Sequence, residues 1–356
     1  MIAALSQIYG FVIVGRHIFS PKLQTIGMAY AFSPPLQRGG LEILIINIEY
    51  LTLNCQEQVR VLYMKIMIPY ETLYIYEAKG EIQGARNFFK EDFIGCWNEQ
   101  GSSFLFFSQP HDEEVEALVD GMGLSLLTKN RLDYKAWQAG EELKPFTIGN
   151  LVFSPPWEEV VIGKEEILVH IDPCVVFGTG YHPTTRSCLK ALSEIYRKER
   201  PPKMLDLGTG SGILALAAAK WGARSVLAVD YNELAVETAL RNVSLNDESE
   251  RITVRRGKAE DFIDVEADLL CANIHLQVIE SLIKKRTFFQ KKWLILSGIF
   301  EKDGEGIERQ LNEGATQIVQ RLQEKNWLTF VGINHGGKST SQLARLKDGA
   351  CERREI

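Results

Sequence analysis

The chain has 356 residues, 45% of them hydrophobic and 24% charged, and a formal net charge of −6. That length is expected to hold two domains, and the acidic balance argues against tight non-specific binding of nucleic acid while suiting a basic protein partner. The six cysteines (Cys55, Cys96, Cys174, Cys188, Cys271 and Cys351) form no C-x-x-C pair and the histidines are equally dispersed, so no disulfide framework or metal site is supported and a reducing cytoplasm is expected.

In chain order, residues 1–63 form an extra segment. Its opening, MIAALSQIYGFVIVG, is apolar but lacks a basic flank and is too short to span a bilayer, so no membrane association is expected. SPPLQRGG (33–40) reads as a loop and LEILIINIEYL (41–51) as a strand. An upstream extension outside the translated protein is one reading, since Met64 and Met67 stand just before the next strand; an additional packed element or a partner-binding arm is the other. Residues 64–132 read as a small α+β domain, with strands at 72–78 and 103–108 and a helix at 112–119 whose N-terminal acids suit the helix dipole. FLFF (104–107) reads as sheet core, with a substrate-contacting surface as the other reading. Residues 133–171 are expected to link this domain to a larger one at 172–347, and 348–356 to form a solvated tail.

The densest signal is MLDLGTGSGILALAAAKWGARSVLAVD (204–230). The apolar run 204–207 predicts a buried parallel strand, Gly208, Gly210 and Gly212 a tight turn, 213–220 a helix, and 226–229 a second strand ending at Asp230. An acid about twenty residues beyond the first glycine stands where a nucleoside-binding fold holds ribose hydroxyls. Asp206, immediately before the turn, disfavours a pyrophosphate and favours a cofactor bearing an ammonium and a sulfonium, as S-adenosylmethionine does. Residues 252–255 predict a third strand, followed by GKAEDF, where Ala259 and Glu260 would border the adenine. Residues 267–272 predict a fourth strand ending at Asn273, whose amide carbonyl is placed to accept a bond from an amine. A closing turn before the helix at Leu276 is the other reading of Asn273. Beyond it come a strand at 294–300, a long helix from about Asp303 to Leu322, a strand at 327–331 and a last strand near 341–346. GINHGGKS (332–339) matches the phosphate-loop pattern formally, but too few residues follow for a nucleotide-binding domain, so it reads as the turn between the last two strands.

DPCVVFGTGYHPTT (172–185), followed by a helix from about Arg186, together with DLGTGSG and CANIHL, resembles the ribosomal protein methyltransferase family of the PrmA type. F-G-T-G-x-H-P-T-T is far more specific than the glycine turn. The resemblance runs from about Tyr74 to Arg345 and is densest between Asp133 and Ile299. It implies an α/β, class I methyltransferase fold (Rossmann-like, a seven-stranded mostly parallel sheet with the last strand antiparallel) plus a small N-terminal α+β ferredoxin-like domain that recognises the substrate. It further implies transfer of methyl groups from S-adenosylmethionine to lysine side-chain or N-terminal amino groups of protein eleven of the large ribosomal subunit, without direct nucleic acid binding. The family's cofactor contacts fall on Thr185, Gly208, Asp230 and Asn273, with Phe177, Gly178 and Thr179 looping over the cofactor's amino-acid end and Asp206 and Gly210 completing the turn. Asn273 is the candidate catalytic residue, and His182 is read as ordering the loop, with a catalytic role as the other reading. Two departures stand out. The stretch 81–101 is too short for a full first helix, and 339–341 lack the aromatic residue that usually opens the closing strand. Other readings are methyl transfer to a different protein or small amine, and a cofactor-binding assembly module without catalysis.

Overall fold

The computed structural model describes residues 71–89, 92–99, 101–134, 143–314 and 316–334, together with the backbone of short strands between Val12 and Tyr63. In the stretch read as one strand at 41–51, the backbone instead forms two, Leu41–Glu42 and Ile46–Ile48, which pair with different neighbours. The expected strand at 341–346, the departure at 339–341 and the tail lie outside the described residues.

The small domain is a four-stranded antiparallel sheet: β1 (Thr72–Lys79), β2 (Phe93–Glu99), β3 (Ser102–Phe107) and β4 (Ser125–Asp133), in spatial order β4-β1-β3-β2. Helix α1 (Asp112–Gly121) joins β3 to β4. Between β1 and β2 the described residues form only a three-residue 3-10 turn, Ala85–Asn87, where a full helix was expected not to fit. Two of these strands, β2 and β4, went unread in the sequence: β4 is exposed along nearly its whole length, so it carries no alternating pattern. FLFF is sheet core on both faces. Leu105 and Phe107 pack with Val115 and Val119 of α1, while Phe106 turns the other way with Leu73 and Ile75.

Strands β5 (Phe146–Ile148), β6 (Leu151–Ser154) and β7 (Ile167–His170) form a small sheet whose Leu151, Phe153 and Val169 enter the main core. The principal sheet holds β8 (Lys203–Leu207), β9 (Ser225–Asp230), β10 (Ile252–Arg256), β11 (Leu269–Asn273), β12 (Trp293–Phe300), β13 (Thr316–Glu324) and β14 (Trp327–Asn334) in the order β10-β9-β8-β11-β12-β14-β13. The first five run parallel; β14 is antiparallel to both β12 and β13. Side-chain alternation splits the core into two layers. Met204, Val226, Cys271 and Ile295 face α2 (Pro183–Lys198) and α3 (Ile213–Trp221), while Leu205, Val229, Leu270 and Leu296 face α6 (Leu276–Ile283) and α7 (Gly304–Glu313). Helices α4 (Glu233–Leu245) and α5 (Ala259–Phe262) complete the crossovers. No helix among the described residues is long and apolar enough to cross a membrane.

Three expectations need correction. Helix α2 begins at Pro183 rather than Arg186, because His182 caps it, its Nδ1 accepting the Thr184 amide at 3.4 Å. The helix expected to reach Leu322 stops at Glu313. TQIVQRLQE is strand β13, and its strict alternation of half-buried and exposed positions is the period-2 signal that the helical reading overrode. Consequently β13 and β14 turn at Lys325 and Asn326, and Gly332–Asn334 of the phosphate-loop match are strand, not turn.

The two sheets meet through a shared apolar cluster of Leu73, Ile75 and Phe106 against Tyr134, Cys174, Val175, Val176, Leu234 and Ala235. Arg86 adds a bidentate ion pair with Glu237 at 3.0 and 2.7 Å. At Gly95 a Cβ would lie 2.3 Å from Leu234 Cδ1, so a larger residue there requires the buried Leu234 side chain to shift. Leu270→Ala, in the fully buried centre of the principal sheet, is expected to cost about 2–5 kcal/mol in denaturant unfolding. Arg86→Ala, which breaks a solvent-screened pair, should cost under about 1 kcal/mol.

Candidate functional site

The carboxyl ends of β8, β9 and β11 converge on one rim of the principal sheet, the usual crevice of an open α/β fold. At the tip of β8 the chain turns through Gly208 and Gly210 into α3. The Gly208 and Thr209 amides both donate to the Val229 carbonyl, at 2.8 and 3.0 Å, tying the turn to the neighbouring strand. Gly210 has φ +55°, and a Cβ there would stand 2.5 Å from the Phe177 carbonyl oxygen, so this position excludes other residues. Helix α3 is alanine- and leucine-rich and ends on Gly222 in the left-handed conformation, accepting no further turn.

Asp230 closes the rim. Its Oδ2 accepts the Gly210 amide at 3.0 Å and its Oδ1 the Asn232 amide at 3.0 Å, while the Asn232 side chain caps α4 through the Leu234 amide at 3.0 Å. Burial raises its pKa, and the amides of Asn232 and Gly210 oppose that shift. Each oxygen keeps a lone pair beyond the one these amides use. Asp206 is fully buried. Its Oδ2 accepts the Thr209 hydroxyl at 2.6 Å, and its Oδ1 has no hydrogen-bond partner. Burial pushes its carboxyl up to about 7; the Thr209 bond pulls down and the Asp230 charge pushes further up.

The loop carrying Phe177, Gly178 and Thr179 is latched onto the glycine turn. The Ser211 amide donates to the Phe177 carbonyl at 3.0 Å and the Ser211 hydroxyl to the Gly178 carbonyl at 2.7 Å. Within the loop, Thr179 Oγ1 accepts the Tyr181 amide at 3.2 Å. The Tyr181 hydroxyl accepts the Lys144 amide at 2.6 Å and donates to the Lys144 carbonyl, and Arg186 stacks over Tyr181 and Phe146 while its Nε donates to the Gly180 carbonyl at 3.3 Å. His182 Nδ1 is 2.8 Å from the Thr184 hydroxyl, and burial, aided by Lys325, lowers its pKa, leaving a neutral ring engaged as a helix cap.

Thr185, in the first turn of α2, and Asn273, at the tip of β11, meet across the rim with Asn273 Nδ2 3.5 Å from Thr185 Oγ1. The structure therefore gathers Thr185, Asp206, Gly208, Gly210, Asp230, Asn273 and the Phe177–Thr179 loop at one rim. Ala259 and Glu260 open the short helix α5, just after the Gly257 amide that donates to the Asp230 carbonyl at 2.9 Å. Sequence reasoning missed Ser211, Tyr181, Arg186 and Asn232. Ser211 and Asn232 carried a usable signal, a hydroxyl inside the glycine turn and an Asn immediately before a helical pattern; the Tyr181–Lys144 clamp is long-range and carried none.

An acid with spare lone pairs beside a glycine-rich turn suits vicinal hydroxyls, and a buried carboxylate with an orphaned oxygen suits a cation. The donor set thus fits a cationic nucleoside such as S-adenosylmethionine.

The family model described as "Ribosomal protein L11 methyltransferase (PrmA)" matches residues 106–335. A ribosomal protein L11 methyltransferase of Desulfitobacterium hafniense is 39% identical over 196 residues, covering 54% of this chain and 61% of its own length, so the chain spans about three fifths of that relative. One from Clostridium perfringens (strain ATCC 13124) is 31% identical over 276 residues, 77% of this chain and 82% of the relative. The crystal structure of a ribosomal protein L11 methylase from Lactobacillus delbrueckii subsp. bulgaricus is 29% identical with a TM-score of 0.49, covering 54% of this chain and 100% of that one. With the family model spanning more than half of its length, the chain belongs to the ribosomal protein L11 methyltransferase (PrmA) family.

Proposed function

We propose that this protein is a cytoplasmic S-adenosylmethionine-dependent methyltransferase acting on lysine side-chain or N-terminal amino groups of ribosomal protein L11. The observation that carries the reading is the meeting of Asp206, Asp230, Thr185 and Asn273 at one rim in a chain of this family. The strand order β4-β1-β3-β2, with α1 after β3, supports a ferredoxin-like substrate-recognition domain at residues 64–132, joined through residues 133–171 to the methyltransferase domain at 172–347.

Bound S-adenosylmethionine would supply an activated methyl group on a good leaving group. The protein's own residues then orient and desolvate. Asp230 accepts the sugar hydroxyls through its remaining lone pairs, Asp206 offers its unpartnered oxygen to the cationic end, and the Thr185 hydroxyl and the Phe177–Thr179 loop border the amino-acid end. The acceptor must arrive as a neutral amine, and for a lysine near its ordinary pKa of about 10.4 this costs roughly 4–5 kcal/mol at neutral pH. A partly apolar rim beside a positive charge reduces that cost by desolvation and like-charge repulsion. The Asn273 carbonyl oxygen accepts one amine N–H and aims the lone pair. His182 needs no proton-transfer role, because its ring is committed to capping α2.

The three-residue 3-10 turn in place of a first helix favours a second reading, in which the chemistry is kept but another protein is the acceptor. Labelled cofactor in a lysate lacking the enzyme separates the two: a labelled band other than ribosomal protein L11 supports the second.

Asn273→Ala is expected to lose about 100-fold in turnover on ribosomal protein L11 while its calorimetric affinity for S-adenosylhomocysteine stays near wild type. Full turnover would remove Asn273 from the mechanism. Asp206 yields a separate expectation. With its folded pKa near 7 and an unfolded value near 3.9, the native state holds the proton longer. Its contribution to stability is greatest below about pH 4 and is lost as pH rises to about 7. Asp206→Asn should flatten that decline in denaturant midpoint between pH 5 and 8. Binding of a cationic cofactor at pH 6 should release protons in the wild type but not in this variant, measured by calorimetry in buffers of different ionisation enthalpy.

A further inference from the structure

A row of rings leads outward from the rim on the side of Asn273. Phe177 and His182 have centroids 5.0 Å apart, His182 and Trp327 5.3 Å, and Trp327 stacks on Phe300 at 4.0 Å. The two ends of the row, Phe177 and Phe300, are each 46% exposed. The row is anchored to the site at its inner end. Phe177 is bonded to Ser211 beside the glycine turn, and His182 caps the helix that bears Thr185. Phe300 lies three residues beyond Ser297, the register partner of Asn273, or about 10 Å along the strand.

An exposed stacked pair at a strand end adds little to the core, since Phe300 leaves nearly half its surface in water. Its chemistry suits a ligand instead. The faces of aromatic rings carry negative potential and attract alkylammonium groups, and their flat apolar surfaces hold methylene stems. The chain supplies its own example: the Lys302 ammonium lies 6.0 Å from the Phe300 ring centroid. The same faces repel carboxylates, and the neutral His182 ring adds no charge against an incoming cation.

We propose that the row formed by Phe300, Trp327, His182 and Phe177 is the acceptor subsite, in which the alkylammonium side chain of a protein substrate displaces Lys302 and runs along the rings to Asn273. This rests on the methyl-transfer reading and adds the residues that receive the acceptor's unbranched alkylammonium side chain. Cation and stem are held at the outer rings, and the amine is stripped of water as it nears the strand tips.

The test uses the full chain with ribosomal protein L11 as the probe, comparing wild type, Phe300→Leu and Phe300→Trp. Calorimetric Kd for ribosomal protein L11 is measured with S-adenosylhomocysteine present, alongside KM and kcat for transfer. Phe300→Leu keeps apolar bulk but loses the ring face, so Kd and KM should rise about tenfold with kcat little changed. Phe300→Trp should restore both. S-adenosylhomocysteine affinity should match wild type in both variants, which reports an intact fold. Unchanged Kd and KM in Phe300→Leu, or an equal loss in both variants, would overturn the subsite while leaving methyl transfer standing. Wild-type protein that transfers no methyl to ribosomal protein L11 would sink the functional reading and the subsite with it.

Discussion

Everything at the functional rim depends on how one carboxylate is braced. Asp230 stands at the end of a strand where two backbone amides, those of Gly210 and Asn232, each donate to one of its oxygens. One amide belongs to the glycine turn and the other to the entry of the next helix, so a single side chain fixes the relative position of two crossovers. Charge-assisted bonds of this kind are roughly twice as strong as neutral ones and hold the group in one rotamer. A carboxylate so held meets a pair of hydroxyls without further ordering, and preorganisation of this sort is where orientation chemistry obtains its rate.

The second acid works in the opposite sense. Asp206 is buried with one oxygen satisfied and the other left over, an arrangement that proteins tolerate rarely and usually at functional positions. Around these two acids the remaining ties are local and mutual. Ser211 holds the loop to the turn, Tyr181 clamps the loop to Lys144, and His182 seats the helix that delivers Thr185. None is strong alone. Together they form a network in which each group limits its neighbour's freedom, and the energy of such a network is not the sum of its bonds.

Much of this was legible in the residues. The strand, turn, helix and acid of 204–230 fall within a residue or two of their observed bounds, because a fully buried parallel strand and an alanine-rich helix each carry an unambiguous composition. Asn273 could be placed because a short apolar run must end at the rim in this topology. What stayed hidden had physical causes. The exposed strand Ser125–Asp133 has no buried face to pattern it. The stretch Thr316–Glu324 alternates as a strand does, yet it follows a helix closely and was taken for its continuation. The apolar seam between the two sheets draws on Leu73, Phe106, Val176 and Leu234, residues far apart in the chain that only the folded topology brings together.

That seam gives one distant position unexpected authority. A methyl group at Gly95 would press on the Cδ1 end of Leu234, whose amide is held by the side chain of Asn232, whose own amide steadies Asp230. Substitution at an inconspicuous glycine, in a strand whose Glu99 also lies 3.9 Å from His275 beside the rim, therefore reaches the braced carboxylate of Asp230 through three linked contacts. A substitution there acts on the rim only through this short chain of packing and backbone contacts.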